Sequence, residues 1–312
     1  MTGACWGSEV PFMLTVGQEG SPLIEINGGS DIWTMAFAAD GEYIVGGGDG
    51  LRAWRVKDGK LMATMAARDV RCLAVSQDGR WLAAGTNSGY AFVWDAKTFE
   101  KVFTHNEDDY VIYGVDFSPD STRLVTASLH CRATVWDIAT RERLILRHED
   151  TVRAAKYSPQ GDRIATATRK SVRVWDSNDG RLLADIPVTQ TPWYNTGLLW
   201  LSNYLFVVSD GSIKQLEAST GSTVSKWQVP DTNNSSCIAL PQYGEFIAYS
   251  TNDTVTFWDM STHTRVGLIR QHPQDVYSIA LSPDDRFIAI GGNSGKITIS
   301  SLSRISVSIV FP

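Results

Sequence analysis

A ten-residue stretch, SVRVWDSNDG from Ser171 to Gly180, contains the pattern that decides the fold. Its apolar side chains alternate with other residues as they do in a half-buried β-strand, and the strand ends at a Trp-Asp pair followed by a polar turn and a glycine. A short β-branched or apolar run closed by tryptophan returns at Ala53-Trp54, Phe92–Asp95, Thr134–Asp137 and Thr254–Asp259. The fold and the function of the chain must therefore be inferred from a repeated unit of sequence.

The repeat has a nearly constant length. In successive copies the tryptophan position is occupied by Trp54, Trp94, Trp136, Trp175, Leu216, Trp258 and Ser300, which lie 40, 42, 39, 41, 42 and 42 residues apart. A period of about 40–45 residues with four short strands in each copy is typical of a β-propeller. Since so small a unit cannot bury both faces of its sheet alone, neighbouring copies must complete its core.

The turns that precede each tryptophan also agree. A Ser-Pro step joins two strands at Ser118-Pro119-Asp120, Ser158-Pro159-Gln160-Gly161 and Ser282-Pro283-Asp284, where proline fixes φ and Asp or Gly suits the next corner. With these turns and the Trp-Asp strands, the chain resembles the WD-repeat family of β-propellers from about Leu23 to its C-terminus. The resemblance implies an all-β fold, a seven-bladed β-propeller of four-stranded antiparallel blades with strands a to d in each, and it implies no particular function.

Some copies depart from the family pattern. The fifth has Leu216-Glu217 and the seventh has Ser300-Ser301 where Trp-Asp is expected. The family's buried histidine stands at the expected distance before the first strand only at His148 and His272. We therefore expect apolar packing, rather than a repeated polar network, to hold most blades together.

Two segments are candidates for the strand that closes the ring. One is Leu23–Ile26, which would overlap the two ends of the chain in the last blade, and the other is the apolar tail Ile305–Val310. We favour the N-terminal strand, which leaves Phe12–Val16 as an additional strand or a loose end. The predicted organisation is residues 1–22 as an N-terminal segment with room for one extra strand, and residues 23–312 as the seven-bladed propeller.

The composition is typical of soluble globular proteins. Hydrophobic residues make up 43% and charged residues 20% of the 312 residues, and no apolar run approaches the roughly 18 residues of a membrane span. The N-terminus has neither a basic flank nor an apolar core of signal-peptide length. The four cysteines lie far apart, which favours reduced thiols over disulfides or a zinc site. These features predict a cytoplasmic protein, with the nucleus as the alternative, that does not act at a membrane.

The sequence contains no evident catalytic arrangement. None of the five histidines lies at metal-ligand spacing from another histidine, a cysteine or an acidic cluster, and no Gly-x-Ser-x-Gly elbow occurs. The segment Gly46–Gly50 lies between two predicted strands, so a hairpin is favoured over a phosphate loop. We predict a protein that is not an enzyme and has no metal site and no cofactor. Asp116 alone, on a first strand, fits a site in the central channel.

Aromatic and arginine side chains share one position of the repeat. Four residues before the last apolar residue of each first strand stand Trp33, Arg71, Tyr113, Arg153, Gly197, Ser236 and Tyr277. In the WD-repeat family this position resembles the place where strand a enters from the face that carries the d–a and b–c loops, near the central channel. Trp193 and Tyr194 precede Gly197 and are predicted to lie near the same rim. These side chains either pack between blades or bind a partner, and for the set we favour binding, because aromatic residues and arginine dominate hot spots.

The charge distribution leaves two interpretations open. The net charge of −6 gives no general case for nucleic-acid binding, and the first fifty residues contain no Lys or Arg, but residues 123–181 are net basic. The basic stretch is either an ordinary solvated surface or a contact for an acidic partner.

Together these features predict a non-catalytic interaction platform, a scaffold or adaptor. It would bind a protein or peptide on the face of the d–a and b–c loops, as a monomer or within a hetero-complex, with no direct binding to nucleic acid. Two other classes of function stay open. One is the sensor or ligand-recognition domain of a larger signalling protein, and the other is a propeller enzyme or small-molecule binder that uses the central channel.

Overall fold

The chain is built of strands and turns. The computed structural model describes residues 12–16, 23–107, 109–188, 197–209, 211–229, 237–241, 244–269 and 274–306, and no helix occurs among them. That part of the chain accordingly offers no helix with the length and apolar character needed to cross a membrane.

The strands follow one another through short turns. In chain order they are β1 (Phe12–Val16), β2 (Ile24–Asn27), β3 (Ile32–Phe37), β4 (Tyr43–Gly48), β5 (Leu51–Arg55), β6 (Leu61–Met65), β7 (Val70–Val75), β8 (Trp81–Thr86), β9 (Tyr90–Asp95), β10 (Lys101–Asn106), β11 (Ile112–Phe117), β12 (Arg123–Ser128), β13 (Arg132–Asp137), β14 (Arg143–Arg147), β15 (Ala154–Tyr157), β16 (Arg163–Ala167), β17 (Ser171–Asp176), β18 (Leu182–Pro187), β19 (Leu198–Leu201), β20 (Tyr204–Ser209), β21 (Ser212–Glu217), β22 (Thr223–Gln228), β23 (Ile238–Ala239), β24 (Phe246–Thr251), β25 (Thr254–Asp259), β26 (Arg265–Ile269), β27 (Val276–Leu281), β28 (Phe287–Gly292) and β29 (Lys296–Ser306).

These strands form a seven-bladed β-propeller, which confirms the predicted fold class. Blades 1 to 6 are four consecutive antiparallel strands each, from β3–β6 to β23–β26, and blade 7 consists of β27, β28, β29 and β2. Each strand a lies beside strand a of the next blade, from β3 round to β27 and back to β3, so the ring is closed. Strand a therefore borders the central channel, and strand d forms the outer edge.

Burial falls from the inside of each blade to its outer edge. Every residue of β4, a strand b, is buried, whereas β18 and β22, both strands d, each fully bury one side chain of six. A strand b lies in the middle of its sheet with another blade against each face, so neither face meets water. A strand d has no neighbour on its outer side, so most of its side chains stay exposed, including apolar ones such as Leu61, Leu182 and Val224.

The apolar cores lie between blades. Trp94 of blade 2 packs with Leu51 and Met65 of blade 1, and Trp136 of blade 3 packs with Val93 of blade 2. The repeat tryptophans are thus packing residues that join one blade to the next. This arrangement is the physical reason why the repeat has to be tandem, because a single blade would expose both faces of its sheet.

In blades 2, 3, 4 and 6 the aspartate that follows the repeat tryptophan holds the turn between strands c and d, whereas blade 1 has Arg55 after its tryptophan. The Asp95 carboxylate accepts the backbone N–H groups of Lys97 and Thr98, both at 2.9 Å. Asp137 accepts those of Ala139 at 2.9 Å and Thr140 at 2.7 Å. The pKa of both carboxyls is lowered, mainly because these backbone hydrogen bonds stabilise the carboxylate form. The Trp-Asp pair is therefore one packing residue followed by one turn cap.

Polar networks differ from blade to blade. In blade 4 the Trp175 indole N–H donates to Thr166 Oγ1 at 2.8 Å, and the His148 ring lies edge-on to that indole with the ring centroids 5.2 Å apart. In blade 1 the Trp54 ring lies against Gly46, where a Cβ would come within 2.9 Å of it. The expectation of mainly apolar packing thus fits blade 1, whereas blade 4 retains an indole hydrogen bond.

The N-terminal strand closes the ring. β2 pairs antiparallel with β29, with Ile24 opposite Ile299 and Ile26 opposite Ile297. Gly59 of blade 1 sits against Ile24 and Ile26, as Gly180 of blade 4 sits against β14 of blade 3. β2 is therefore strand d of blade 7, as favoured from the sequence.

β1 is an additional strand. It pairs with the far half of β29, from Phe12 opposite Ser306 to Val16 opposite Leu302. The alternative closing strand, the tail Ile305–Val310, lies in part outside the described residues, and its first two residues belong to β29. The domain boundary between residues 22 and 23 stays a prediction.

Candidate functional site

The predicted rim residues sit where strand a begins, and most of them occupy a β-bulge. The pairing of strands a and b shifts register between Ile32 and Thr34 in blade 1, and the same shift recurs in blades 2, 3 and 7. The residues inside these bulges are Trp33, Arg71, Tyr113 and Tyr277. A bulge leaves one residue unpaired and re-aims its side chain, which places these four at the mouth of the channel rather than in the ladder.

Arg153 reaches the equivalent position in blade 4 without a bulge. It directly precedes β15, and its backbone N–H donates to Ala167 O at 2.8 Å. Like the four bulge residues, Arg153 is half-buried. The structure therefore brings five predicted rim residues to one level of the ring.

In two pairs of neighbouring blades, a rim arginine of one blade lies over a rim aromatic ring of the other. The Arg71 guanidinium of blade 2 lies over the Trp33 ring of blade 1, 4.9 Å from its centroid. The Arg153 guanidinium of blade 4 lies over the Tyr113 ring of blade 3 at 5.7 Å. Such cation–π contacts fix long side chains in one orientation. These contacts show that the four side chains pack between blades, and their presentation to a partner stays a prediction.

Asparagines of the b–c turns hold two of the rim side chains. Arg71 Nε donates to Asn87 Oδ1 at 2.8 Å, and Tyr277 forms a side-chain hydrogen bond with Asn293. Burial, and then the carboxylates of Asp275 and Asp31, raise the pKa of Tyr277. The phenol therefore stays protonated over a wide pH range and can act as a hydrogen-bond donor.

The rim of blade 5 differs from the prediction. Leu201 pairs with Tyr204 across a two-residue turn, and Trp200 pairs with Leu205. The Val208 N–H accordingly donates to Gly197 O at 3.1 Å, which puts Gly197 one position further along than the bulge residues. Counting from the last apolar residue was wrong here, because this turn is shorter than the Ser-Pro turns. Trp193, Tyr194 and Ser236 lie outside the described residues.

A groove lies beside the Trp33–Arg71 pair on the same face. Its volume is about 870 Å³, and it separates the loops of blades 1 and 2. Met65, Ala67 and Phe92 are among the apolar residues that line it, and Asp49 and Asp69 are among the charged ones. The Asn87 N–H donates to Asp69 O at 2.9 Å, so the groove adjoins the turn that holds Arg71.

The basic stretch at residues 123–181 does not form one basic surface. Several of its cations are matched internally: Arg132 Nη2 lies 2.6 Å from Glu107 Oε2, Lys156 Nζ lies 2.8 Å from Asp116 Oδ1, and Arg173 Nη2 lies 2.6 Å from Glu149 Oε2. Others, such as Arg123 and Arg163, belong to strand b at its opposite end. Acidic side chains stand on the d–a and b–c loops of blades 7, 1 and 2, namely Asp275, Asp31, Asp49 and Asp69. The loops of blades 7, 1 and 2 therefore add negative charge to this face.

The acid predicted for a site in the central channel is already paired. Asp116, the one acid predicted to suit a channel site, binds Lys156 Nζ and also accepts the Tyr157 N–H at 2.9 Å. Its carboxylate thus ties blade 3 to blade 4. Over the described ranges, no group of three or more His, Cys, Asp or Glu side chains is placed to hold a metal ion.

Three exposed residues on the same face were not singled out from the sequence. Tyr110 lies in the d–a loop before blade 3, and Leu129 and His130 form the b–c turn of that blade. The rings of Tyr110 and His130 lie 4.4 Å apart. Large apolar residues at two successive loops of one face are the signal that would have identified them.

The closed ring, its tandem repeats and its loop-bearing face together define a WD-type propeller. The family model described as WD domain, G-beta repeat matches residues 20–51, 59–95, 97–137, 141–176 and 263–299, more than half of the chain, and the chain belongs to this family. The resemblance seen in the sequence is thereby confirmed. The matched ranges leave out residues 177–262, where blade 5 has Leu216-Glu217 in place of Trp-Asp.

Curated relatives are WD-repeat proteins of varied roles. The chain is 23% identical over 230 residues to Transcriptional corepressor LEUNIG_HOMOLOG of Arabidopsis thaliana, covering 72% of this chain and 24% of that protein. It is 21% identical to Eukaryotic translation initiation factor 3 subunit I of Aspergillus oryzae, covering 76% and 75%. It is 22% identical to WD repeat-containing protein 18 of Danio rerio, covering 91% and 73%. The chain spans about a quarter of the corepressor's length. By their names, these relatives are a transcriptional corepressor, a subunit of a translation initiation factor and a WD-repeat protein.

Proposed function

We propose that the chain is a non-catalytic interaction platform, a scaffold or adaptor, that binds a protein or peptide segment on the face of the d–a and b–c loops. The contact site includes the rim residues Trp33, Arg71, Tyr113, Arg153 and Tyr277, and Trp193 and Tyr194 are assigned to it from sequence alone. A propeller closes its sheets into a ring and presents loops from every blade, so it can orient a partner at little ordering cost.

One observation carries this proposal. Residues far apart in sequence meet in neighbouring blades as arginine-on-aromatic pairs, Arg71 on Trp33 and Arg153 on Tyr113. All four are half-buried, so each leaves part of its surface at the channel mouth. Rigid aromatic rings and arginines held in place before binding are the residues that contribute most at interfaces.

The rim chemistry favours an acidic group on the partner near blade 4. A guanidinium can bind a carboxylate or a phosphate through two parallel hydrogen bonds. Asp275, Asp31, Asp49 and Asp69 on blades 7, 1 and 2 would repel the same group. We therefore propose that the acidic part of the partner lies near the arginines of blades 3 and 4, where Glu107 and Glu149 are matched by Arg132 and Arg173.

Affinity purification followed by mass spectrometry tests the proposal. The variant Trp33→Ala/Tyr113→Ala/Arg153→Ala should lose partners that the wild-type chain retains, because each truncation at a hot spot weakens binding by about tenfold or more. A matched control, Leu61→Ala/Val102→Ala/Val224→Ala, removes exposed apolar side chains from the outer edges of blades 1, 2 and 5, away from the rim. Thermal unfolding of both variants verifies that they fold. An unchanged partner list for the rim variant would refute the site.

A second function class is favoured by one comparison. The Arabidopsis corepressor is about four times as long as the region that this chain matches, so a propeller of this type can serve as one domain of a larger protein. In that case the chain would be the recognition domain of a signalling protein, with the same face as its contact. Immunoblotting of a native extract for the size of the endogenous protein distinguishes the two.

We assign the protein to the cytoplasm, with the nucleus as the alternative. Cys72 and Cys237 are buried, and burial raises the pKa of their thiols to about 12 and about 11. They act as small apolar side chains rather than as reactive thiols, which is compatible with a reducing compartment.

A further inference from the structure

We infer that the bound segment runs outward across blade 3 and places an apolar side chain on a second contact formed by Tyr110, Leu129 and His130, with carboxylates on either side of it. This inference rests on the proposed function and adds the direction, length and chemistry of the partner: an extended peptide segment with one large apolar residue flanked by acidic residues. The line from Arg153 and Tyr113 through these three residues to Arg147 is called the blade-3 strip.

The middle of the strip is an exposed apolar cluster. Tyr110 keeps 42% and Leu129 keeps 36% of their surface exposed, and the Tyr110 ring lies 4.4 Å from the His130 ring. Two aromatic rings held together at the surface offer a flat apolar area with polar edges. Covering that area with an apolar side chain removes it from water, which is favourable in proportion to the area buried.

The loop that carries Tyr110 is held on both sides by hydrogen bonds. The Glu107 N–H donates to Gly89 O at 2.7 Å, and the Leu129 N–H donates to Val111 O at 2.9 Å. Within the loop, Asn106 Nδ2 donates to Asp109 Oδ1 at 2.7 Å. The cluster is therefore already ordered before a partner arrives, so binding has little loop entropy to overcome.

Gly89 shows how closely this loop is packed on blade 2. Its φ is +80°, and a Cβ there would lie 2.7 Å from the Tyr110 backbone nitrogen. Any other residue would push the loop outward. The position of Tyr110 thus depends on a glycine in the turn of the preceding blade.

The two ends of the strip carry arginines. At the inner end the Arg153 guanidinium lies over Tyr113, 5.7 Å from the ring centroid. At the outer end Arg147 is exposed at the close of β14, and the next residue, His148, donates its N–H to Cys131 O at 2.9 Å, beside the His130 turn. The four strands of one blade span about 15 Å, so a segment crossing them needs about four to five extended residues.

Two of the acids near the strip are paired with arginines that lie outside it. The carboxylates of Glu107 and Glu149 are matched by Arg132 and Arg173 at 2.6 Å each. Two further acids of these loops, Asp109 and Asp150, accept hydrogen bonds from Asn106 and Thr151 and keep their negative charge. A complementary segment therefore presents a carboxylate to each terminal arginine and an apolar side chain between them.

Selection from a phage-displayed library of random 12-residue peptides on the full chain tests the inference. Enriched peptides should contain a large apolar residue with Asp or Glu within two or three positions on both sides. In fluorescence anisotropy with the most enriched peptide, Tyr110→Ala and Arg147→Glu should each raise Kd about tenfold or more, and Tyr110→Phe should restore binding because the ring remains. Leu61→Ala, at an apolar residue of blade 1 that is more exposed than Tyr110, should change Kd less than about twofold.

The outcomes separate this inference from the proposed function. If Trp33→Ala weakens the enriched peptide but Tyr110→Ala and Arg147→Glu do not, the strip is refuted and the rim site stands. If enriched peptides are basic, lack an apolar residue, or resist all these substitutions, the strip is refuted as well. Circular dichroism and the thermal midpoint of each variant show whether a loss of binding comes from misfolding. If Tyr110→Ala misfolds, His130→Ala and Arg147→Glu decide the result: both should weaken binding, and unchanged binding for both refutes the strip.

Discussion

Glu107 has a structural role, a buried ion pair, that its position in the sequence does not predict. It is fully buried in the d–a loop before blade 3. Its Oε2 accepts hydrogen bonds from Arg132 Nε at 2.8 Å, and its Oε1 accepts one from Thr126 Oγ1 at 3.1 Å, while Thr126 Oγ1 accepts the Trp136 indole N–H at 3.4 Å. A glutamate thus connects to the repeat tryptophan of blade 3 at the position where blade 4 has His148, and the His105 ring packs on the same tryptophan with the ring centroids 3.8 Å apart.

Arg132→Met should destabilise the protein by about 3 kcal/mol, because it leaves the buried Glu107 carboxylate without its counter-charge. The double variant Glu107→Leu/Arg132→Met should recover most of this loss, since no buried charge remains. Urea unfolding monitored by tryptophan fluorescence measures both. Arg286→Met is the control: that arginine is 77% exposed, and its removal should cost under about 0.5 kcal/mol. Equal losses for Arg132→Met and Arg286→Met would contradict the role given to the pair.

At the scale of elements, one serine organises the turn between strands a and b. Ser118 Oγ donates to Asp120 Oδ1 at 2.5 Å and accepts the Arg123 N–H at 2.9 Å. The same double contact occurs at Ser76, Ser158 and Ser282. The Ser-Pro turns that marked the repeat in the sequence are therefore closed by a buried hydroxyl.

Ser118→Ala should lower the free energy of unfolding by about 1–2 kcal/mol, because the Arg123 N–H loses a buried acceptor. Ser202 of blade 5 provides the comparison, since its two-residue turn lacks this arrangement and its side chain is exposed. Ser202→Ala should change stability by less than about 0.5 kcal/mol. Chemical denaturation of both variants measures the difference, and similar values for the two would argue against the hydroxyl as the closing element.

For the whole molecule, stability depends on closing the ring. β2 comes from the N-terminal part of the chain and completes a blade whose other strands come from its C-terminal part. Every blade buries its faces against two neighbours, so a gap at one place exposes apolar surface on both sides of it. The overlap of the two ends therefore links all seven blades into one cooperative unit.

Deletion of residues 1–30 should abolish the single cooperative unfolding transition, because it removes β2 and leaves blade 7 without strand d. Deletion of residues 1–22 removes β1 but keeps β2, so this shorter deletion should retain one transition. Differential scanning calorimetry distinguishes the two and tests the predicted boundary between residues 22 and 23. A single unchanged transition after the longer deletion would show that β2 does not close the ring.

The fold was accessible from the sequence, and the site was accessible only in part. Trp33, Arg71, Tyr113, Arg153 and Tyr277 could be aligned by counting along the repeat, because turns of constant length keep equivalent residues in register. Gly197 could not, since blade 5 replaces the longer turn by two residues. The bulges turn the rim side chains out of the strand ladder, and arginines pair with rings of the neighbouring blade. Neither feature can be predicted from the sequence of a single repeat.

The sequence by itself determined the repeat, the number of blades and the residues that pack between them, because a period near forty residues and its alternating strands recur in every copy. The stretch Ser171–Gly180 carries that information in its spacing. Only the tertiary structure decided which side chains meet, such as Arg71 with Trp33, Tyr110 with His130, and Glu107 with Arg132. The physical reason is that packing within a strand follows a local period, whereas contacts between blades depend on loop length and ring closure, which join residues distant in the chain.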